Sequence, residues 1–399
     1  MDLETSFREE FVNKDFTPIF KNGVSHSNLD NIPDSCKVLY SNVDSFANKK
    51  GEILARIEES KPDIIGLSEI HAKNAMHRIS DAEYTIPTYD MFLNKNAKRG
   101  VVLHVKKELN ARECVTFDDS KFEESVWCTF TSANDENVLV GCIYRSPNSL
   151  KENNENLFEL LKRKEMNDYD KICILGDFNF PKASWDSLRG GDGGDDIVEC
   201  VRDAFLWQKV KLPTRRRIDQ RPTLDDLVLV NEEGLSSDIE HQDPFGKSDH
   251  EVLVFQLYVS KIKIEKTNKQ KFDLNKGDYV KMRMNFNDIN WQEFTDLDVL
   301  ELWDTIKSKV HTVMNECIPK VACGPGNRTK PIWMTPKAFK RIKKKYRLYR
   351  RYLSTKQGAD YTKYIKERNE CNKLLKKERK KYEKLIAKNC KMNVKGFWK

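Results

Sequence analysis

The spacing of apolar and polar residues changes several times along the chain, and each change marks an element. "KVLYSNVD" reads as a strand closing on Asn42 and Asp44, after which Ile53, Leu54 and Ile57 recur at helical spacing. "IIGLSE" is a second strand ending at Glu69, so this part of the chain has a β-α-β rhythm. From Gly100 three short runs, "GVVLHVKK", "SVWCTFTS" and "NVLVGCIY", lack helical spacing and predict an antiparallel meander. A helix around "NENLFELLKRK" leads into the strand "KICILGDFN", and a second helix is expected over "DIVECVRDAFLWQKV". Two more strands, "DLVLV" and "EVLVFQLYV", bring the pattern to a close near Ser260.

Beyond Ser260 the pattern is helical. "LDVLELWDTIKSKVHTVMNECI" predicts one helix, and "CGPGNRTKP" breaks the chain after it. Phe339, Ile342, Tyr346, Tyr349 and Leu353 then recur at alternating steps of three and four, and a looser set runs from Tyr361 through Cys371 to Leu385. Two basic amphipathic helices joined near "STKQGAD" account for both sets. The expected organisation is a partly ordered lead-in over residues 1–35, an α/β domain over 36–260, a connector with a helix over 261–330, and a basic helical extension over 331–399.

Polar residues fall at the strand boundaries in an ordered way. Asn42, Glu69, Tyr144 and Asp177 each follow an apolar strand, whereas Asp226 and the pair Asp249 and His250 precede one. Ends and starts share an edge when the strands run in opposite directions, so a mixed sandwich with the second set antiparallel to the first gathers all of these residues at one rim.

Composition narrows the classes. Of the 399 residues 39% are hydrophobic and 33% charged, and no run of about 18 apolar residues suggests a membrane span. "MDLETSFREEF" lacks the apolar segment of a secretory signal, so an intracellular protein is expected. The 10 cysteines contain no CxxC pair and several lie within apolar runs, which reads as reduced core thiols. His311, Cys317 and Cys323 lack a fourth partner at zinc-site spacing and read as structural. The loop "RGGDGGDD" has no GK[ST] ending and is not expected to be a phosphate loop; it reads as a flexible connector, with metal binding as the alternative. Residues 331–399 carry 24 Lys and Arg against 5 Asp and Glu, a net +19, which leaves −11 for residues 1–330 of the chain's +8. An acidic body suits a divalent cation, and a basic tail suits a polyanion such as nucleic acid. The basic runs "TRRR" and "NAKRG" partly offset the body's charge.

The rim residues suit one chemistry. Glu69 and Asp177, with the amides Asn42 and Asn179, are hard oxygen ligands matched to magnesium or manganese. His250, beside Asp249 and a further carboxylate at Asp226 or its neighbour Asp225, supplies an imidazole whose tautomer and charge a carboxylate can set. That combination favours attack on phosphorus.

The ordered set "NVD", "SEI", "GCIYRSPN", "GDFNFP", "LDDLVL" and "GKSDH" resembles the motifs of the endonuclease/exonuclease/phosphatase superfamily, in particular the apurinic-type endonuclease domain of non-LTR retrotransposon polyproteins. The resemblance covers roughly residues 36–258 and implies a four-layer α/β sandwich, two mixed β-sheets flanked by helices. It implies Mg2+ (or Mn2+) held principally by Glu69, with Asn42, Asp44 and Asp249 near it. It implies that Asp177, assisted by Asn179, orients or deprotonates the attacking water. His250, oriented by Asp226, would contact the scissile phosphate, and Tyr144 would donate to a phosphate oxygen. Arg145, Asn148, Arg215 and Arg216 are the expected substrate contacts, although "YRSP" separates tyrosine from proline by two residues where many relatives have one, which bears on Asn148. The implied outcome is DNA hydrolysis leaving a 3′ hydroxyl that primes reverse transcription, with the nucleus as site of action. Element RNA is a further expected partner of the basic helices. No YxDD polymerase motif is present, and the chain is expected to end where a reverse transcriptase would begin. The alternatives are a superfamily phosphodiesterase or phosphatase acting on RNA or a small phosphorylated molecule, and an inactive nucleic-acid-binding remnant.

Overall fold

The computed structural model describes residues 35–73, 80–94, 98–185, 195–217, 220–261, 270–294, 298–322 and 331–389. Residues 1–34 of the expected lead-in, 189–194 of the loop "RGGDGGDD", 96–97 of "NAKRG" and Cys323 lie outside the described residues. In chain order the strands are β1 Cys36–Asn42, β2 Ile64–Ser68, β3 Tyr89–Leu93, β4 Val101–Lys106, β5 Arg112–Glu113, β6 Ser125–Thr131 and β7 Asn137–Tyr144. They continue as β8 Lys171–Asp177, β9 Trp207–Gln208, β10 Asp226–Val230, β11 Glu240–Gln242, β12 Val252–Leu257, β13 Gln270–Phe272 and β14 Lys320–Ala322. The helices are α1 Phe46–Ser60, α2 Lys151–Leu161, α3 Asp195–Asp203, α4 Tyr279–Asn287, α5 Val299–Cys317, α6 Pro336–Thr355 and α7 Gly358–Asn389.

Two six-stranded mixed sheets face each other, in the orders β11-β12-β1-β2-β4-β3 and β5-β6-β7-β8-β10-β9. β1 and β2 run parallel, as do β7 and β8, while β12 and β10 run antiparallel to their neighbours β1 and β8. The strand directions that bring every polar end to one rim are therefore present. Between the sheets lie Val38, Tyr40, Leu103, Val140, Cys142, Leu175, Val228 and Phe255, all buried. α1 covers the outer face of the first sheet through Phe46, Ile53 and Ile57, and α2 and α3 cover the second through Leu157, Leu161, Ile197 and Val201. The result is the expected four-layer sandwich, its central strands apolar on both faces because both are covered.

Three elements differ from expectation. β4 pairs with β2 and β3 in the first sheet while β6 and β7 belong to the second, so the expected meander is divided between layers. All three runs are short and apolar, and periodicity carries no information on which strand a neighbour will be. The second expected helix stops at Asp203; Phe205 takes a left-handed φ of 54°, and Trp207–Gln208 pairs with β10. The connector contains α4 and a β13-β14 pair besides the expected α5, which Asp298 caps through the amides of Leu300 and Glu301.

The two basic helices form as expected, α6 opening on Thr335, whose hydroxyl accepts from the Ala338 amide, with Pro336 in the first turn. They do not stand apart from the sandwich. Met334 just before α6, Ala338, Ile342 and Tyr346 of α6 and Cys371 of α7 pack on Ala55 of α1. At roughly 1.5–3 kcal/mol for each large apolar side chain fully buried, this contact is a substantial attachment.

Candidate active site

The strand "KICILGD" stops at Asp177 because its last residues are needed elsewhere. Gly176 lets β8 close on β7, since a Cβ there would lie 2.5 Å from the Ile143 carbonyl oxygen. Asp177 is paired in register with Tyr144 on one side and Asp226 on the other, which sets three polar strand ends side by side. Asn42 reaches across from the first sheet, its amide Nδ2 donating to Asp177 Oδ2 at 2.7 Å, and Tyr40 bridges the sheets through Ser68 Oγ at 2.8 Å and Asp226 Oδ1 at 3.2 Å. Asp44, Ser45, Glu69 and Asn179 at this rim all have positive φ, between 37° and 83°. Non-glycine residues hold that conformation at a cost, and such costs concentrate at functional sites.

His250 sits at the centre. Its Nδ1 is 2.8 Å from Asp226 Oδ2, and its Nε2 lies 3.8 Å from Asp177 Oδ2 and 3.9 Å from Asp249 Oδ1. Burial opposes charge on the ring, but Asp226, then Asp177 and Asp249, outweigh it and raise the imidazole to about 10. Asp177 goes the other way. Burial pushes its carboxyl well above the usual range, helped by Asp226 and Asp225 and resisted by His250 and Asn42, and its Oδ1 is buried with no hydrogen-bond partner. A basic carboxylate therefore faces an imidazolium. The choice between Asp226 and Asp225 is resolved by direction: Asp225 Oδ2 accepts from Arg215 at 3.2 Å and Thr223 at 2.9 Å instead.

Glu69 and Asp44 form a second cluster. A single guanidinium nitrogen, Nη2 of Arg99, contacts Asp44 Oδ1 at 3.0 Å and also Glu69 Oε2. Tyr144 hydrogen-bonds Glu69, and burial followed by that carboxylate raises the phenol. The Lys49 ammonium, lowered first by burial, faces Asp44 and also feels Glu69 and Asp249. Asn42 Oδ1 accepts from the Asp44 amide at 3.1 Å, which holds that turn. Two carboxylates converging on one cationic nitrogen define a cation position of hard oxygen donors, so this part of the rim fits magnesium or manganese. Asp177, Asp226 and His250 also approach within 4.8 Å of one another, the group among the described residues with metal-ligand spacing. Protonated, the imidazole offers no lone pair to a metal ion; neutral, it offers one at Nε2 beside the two carboxylates.

Two of the expected substrate contacts, Arg145 and Arg216, are corrected, because the fold itself takes up their donors. Arg145 is 6% exposed; its Nη1 donates to the carbonyls of Phe178 and Asn179, its Nε to Asn154, and its plane lies 4.0 Å from the Phe180 ring centre. It holds the "FNF" turn, and Asn179 Nδ2 returns a hydrogen bond to its carbonyl at 2.8 Å. Arg216 points away from the rim to Glu251 Oε1 at 2.7 Å. Arg215 stays at the rim but is committed to Asp225 and to Asp249 Oδ2, at 3.2 Å and 3.0 Å. Asn148 is exposed on the turn after β7. Asp249 is held by Arg215 and Arg217, and these with His250 overcome the effect of burial and lower it to about 2.

The sequence pattern missed Tyr40, Lys49, Arg99 and Thr214, whose Oγ1 accepts from the Asp226 amide at 3.0 Å. A signal existed for Arg99 alone: the basic runs "NAKRG" and "TRRR" neutralise this site's own carboxylates. A cleft of about 160 Å³ beside the site is lined by Asn179, Arg215, Arg217, Arg221 and Thr223.

Residues 138–254 match the family model described as endonuclease-reverse transcriptase. No curated protein matches the chain. Among solved structures, the endonuclease domain of TRAS1, a telomere-specific non-LTR retrotransposon, is 17% identical and aligns over 57% of this chain and 100% of its own, with a TM-score of 0.45. The AP endonuclease LMAP from Leishmania major is 14% identical over 56% of this chain and 88% of its own, with a TM-score of 0.45. The catalytic domain of Xenopus laevis APE2 is 15% identical over 58% of this chain and 94% of its own, with a TM-score of 0.43. The family match runs from β7 into β12 across the rim just described, which supports reading the two-sheet sandwich as a domain similar to those of the endonuclease/exonuclease/phosphatase superfamily.

Proposed function

We propose that this chain is a metal-dependent DNA endonuclease that nicks its target to leave a 3′ hydroxyl for reverse transcription. The observation that carries the reading is the trio Asp177, His250 and Asp226, in which a carboxylate of raised basicity faces an imidazolium fixed by a second carboxylate. Asp177, with Asn179 on the same turn, takes the proton of a water whose oxygen bonds to phosphorus as the bond from phosphorus to the 3′ oxygen breaks; the 3′ oxygen leaves with the bonding pair and takes a proton from solvent to become the hydroxyl. His250 donates from Nε2 to a phosphate oxygen, and the charge it carries is worth most in a site shielded from bulk water. Tyr144 adds a phenolic donor beside it. Glu69, Asp44 and Asn42, with Asp249 behind them, are the residues that would hold Mg2+ or Mn2+, which when bound supplies positive charge against the phosphate. The exposed lysines of α6 and α7 add sequence-independent attraction for the DNA backbone.

The test is nicking of supercoiled plasmid by the full chain with Mg2+, with EDTA, and with Asp177→Ala or His250→Ala. Nicking that needs the metal and falls by about 100-fold or more in both variants supports the reading. Turnover of RNA or of a small phosphate ester in preference to plasmid would replace it with another phosphodiesterase activity of the same site.

A further inference from the structure

Helix α6 reaches the catalytic loop. Its Tyr349 is 2% exposed, and the hydroxyl donates to Glu251 Oε1 at 2.5 Å. Glu251 is fully buried and comes directly after His250 in the chain. The same Oε1 accepts from Arg216 Nε at 2.7 Å, and Oε2 contacts His241 Nδ1 of β11 at 2.6 Å. The backbone around it is equally tied: the Glu251 amide donates to the Thr214 carbonyl, and the Arg216 amide donates to the Asp249 carbonyl, both at 2.8 Å. Glu251 is thus the knot joining the loop of Asp249 and His250, the Arg215–Arg217 turn, β11 and α6.

The far side of the knot is rigid. Three residues before Tyr349 the Arg56 guanidinium lies 3.6 Å from the Tyr346 ring centre, and it pairs with Asp243 at 2.6 Å. Lys345 is wholly buried against Glu52 and Asp243 and donates to the Pro244 carbonyl at 3.3 Å. Two cations and two carboxylates enclosed in this way fix one register of α6 on the sandwich, because any slip strands a buried charge. Tyr349 also packs on Tyr364 of α7, with ring centres 4.8 Å apart.

We propose that Tyr349 is a positioning residue: through Glu251 it sets the place of His250, so that α6 is a working part of the nuclease and not a passive appendage. The proposal rests on the nuclease reading only for its kinetic consequence. Without the hydroxyl, Oε1 has Arg216 as its one donor, the carboxylate moves toward that side, and the peptide carrying His250 moves with it.

The experiment uses the full chain with Tyr349→Phe, which keeps the ring packing, and with Arg216→Lys, which pulls on the same carboxylate from the other side. Two quantities are read: the kcat and KM of plasmid nicking, and the ring resonances of His250 at fixed pH, assigned by their loss in His250→Ala. The expected result for each variant is a kcat lower by about tenfold with KM within about twofold, the scale of a slightly misplaced catalytic group, and a shifted His250 signal. Unchanged kcat and unshifted ring signals in both variants would overturn the proposal. If the wild-type chain nicks nothing, the nuclease reading fails while the ring signals still decide whether Tyr349 positions His250. A variant that does not fold is replaced by the other as the deciding one.

Discussion

Asp177→Asn should make the protein more stable while removing its activity. Asp177 is 1% exposed, its Oδ1 has no hydrogen-bond partner, and Oδ2 accepts from Asn42 alone, with His250 Nε2 at 3.8 Å. Burying a group without partners costs about 1–3 kcal/mol, and more when it is charged; asparagine keeps the Asn42 bond through its oxygen and a polar atom at the Oδ1 position, so the gain comes from losing the charge. The buried trio then holds one carboxylate against one imidazolium instead of two. The expected gain is roughly 1–3 kcal/mol, and with about 2–4 °C for each kcal/mol in large domains the Tm should rise by several degrees. The raised carboxyl sets the sign with pH. The folded chain binds this proton more tightly than the unfolded one, so the stability it contributes is complete below about pH 4 and is lost as pH rises through the folded value. The advantage of the variant should therefore be absent near pH 4 and widen above it. His250, raised to about 10, contributes stability present below about pH 6.5 and lost toward 10, so comparison between pH 4 and 6.5 isolates Asp177. The assay is calorimetry in EDTA with plasmid nicking measured in parallel. A variant as unstable as, or less stable than, wild type across that window would refute the reasoning, because the carboxylate would then be well paired in the fold.

Lys345→Met leaves Asp243 paired with Arg56 and takes from Glu52 its ion-pair partner, which should cost about 3–5 kcal/mol in denaturant unfolding; adding Glu52→Gln should restore much of it, and no loss in the single variant would show that the network is not closed. Arg99→Ala removes the cation bridging Asp44 and Glu69 and should tighten Mn2+ binding about tenfold by calorimetric titration, the scale of one nearby charge at intermediate dielectric; weaker binding would place the ion elsewhere. Lys340→Gln, Arg347→Gln and Lys373→Gln alter exposed positions of α6 and α7, and each that meets DNA should lower the slope of log affinity against log salt by about 0.9; three unchanged slopes would confine binding to the sandwich.

Much of this site was legible in one dimension. A strand announces itself by apolar residues, and a polar residue just outside it by breaking the run, so Asn42, Glu69, Tyr144, Asp177, Asp226 and His250 stood out before any contact was known. Their common rim followed from strand direction alone. The amphipathic spacing of Ile342, Tyr346 and Tyr349 likewise announced a helix. What the pattern could not contain was the identity of partners. β4 looks like β6 and β7 but joins the other sheet, because pairing depends on strands that fold beside it and not on its own period. Arginines show the same limit: Arg145 and Arg216 look like substrate contacts in sequence, yet a guanidinium binds whichever acceptor the fold brings near, here the Asn179 carbonyl and Glu251. The decisive contacts join residues far apart in the chain, Asn42 to Asp177 across 135 positions, Tyr40 to Asp226 across 186 and Tyr349 to Glu251 across 98. Local periodicity sets which face of an element is buried; only closure of the two sheets and the docking of α6 decides what that face meets.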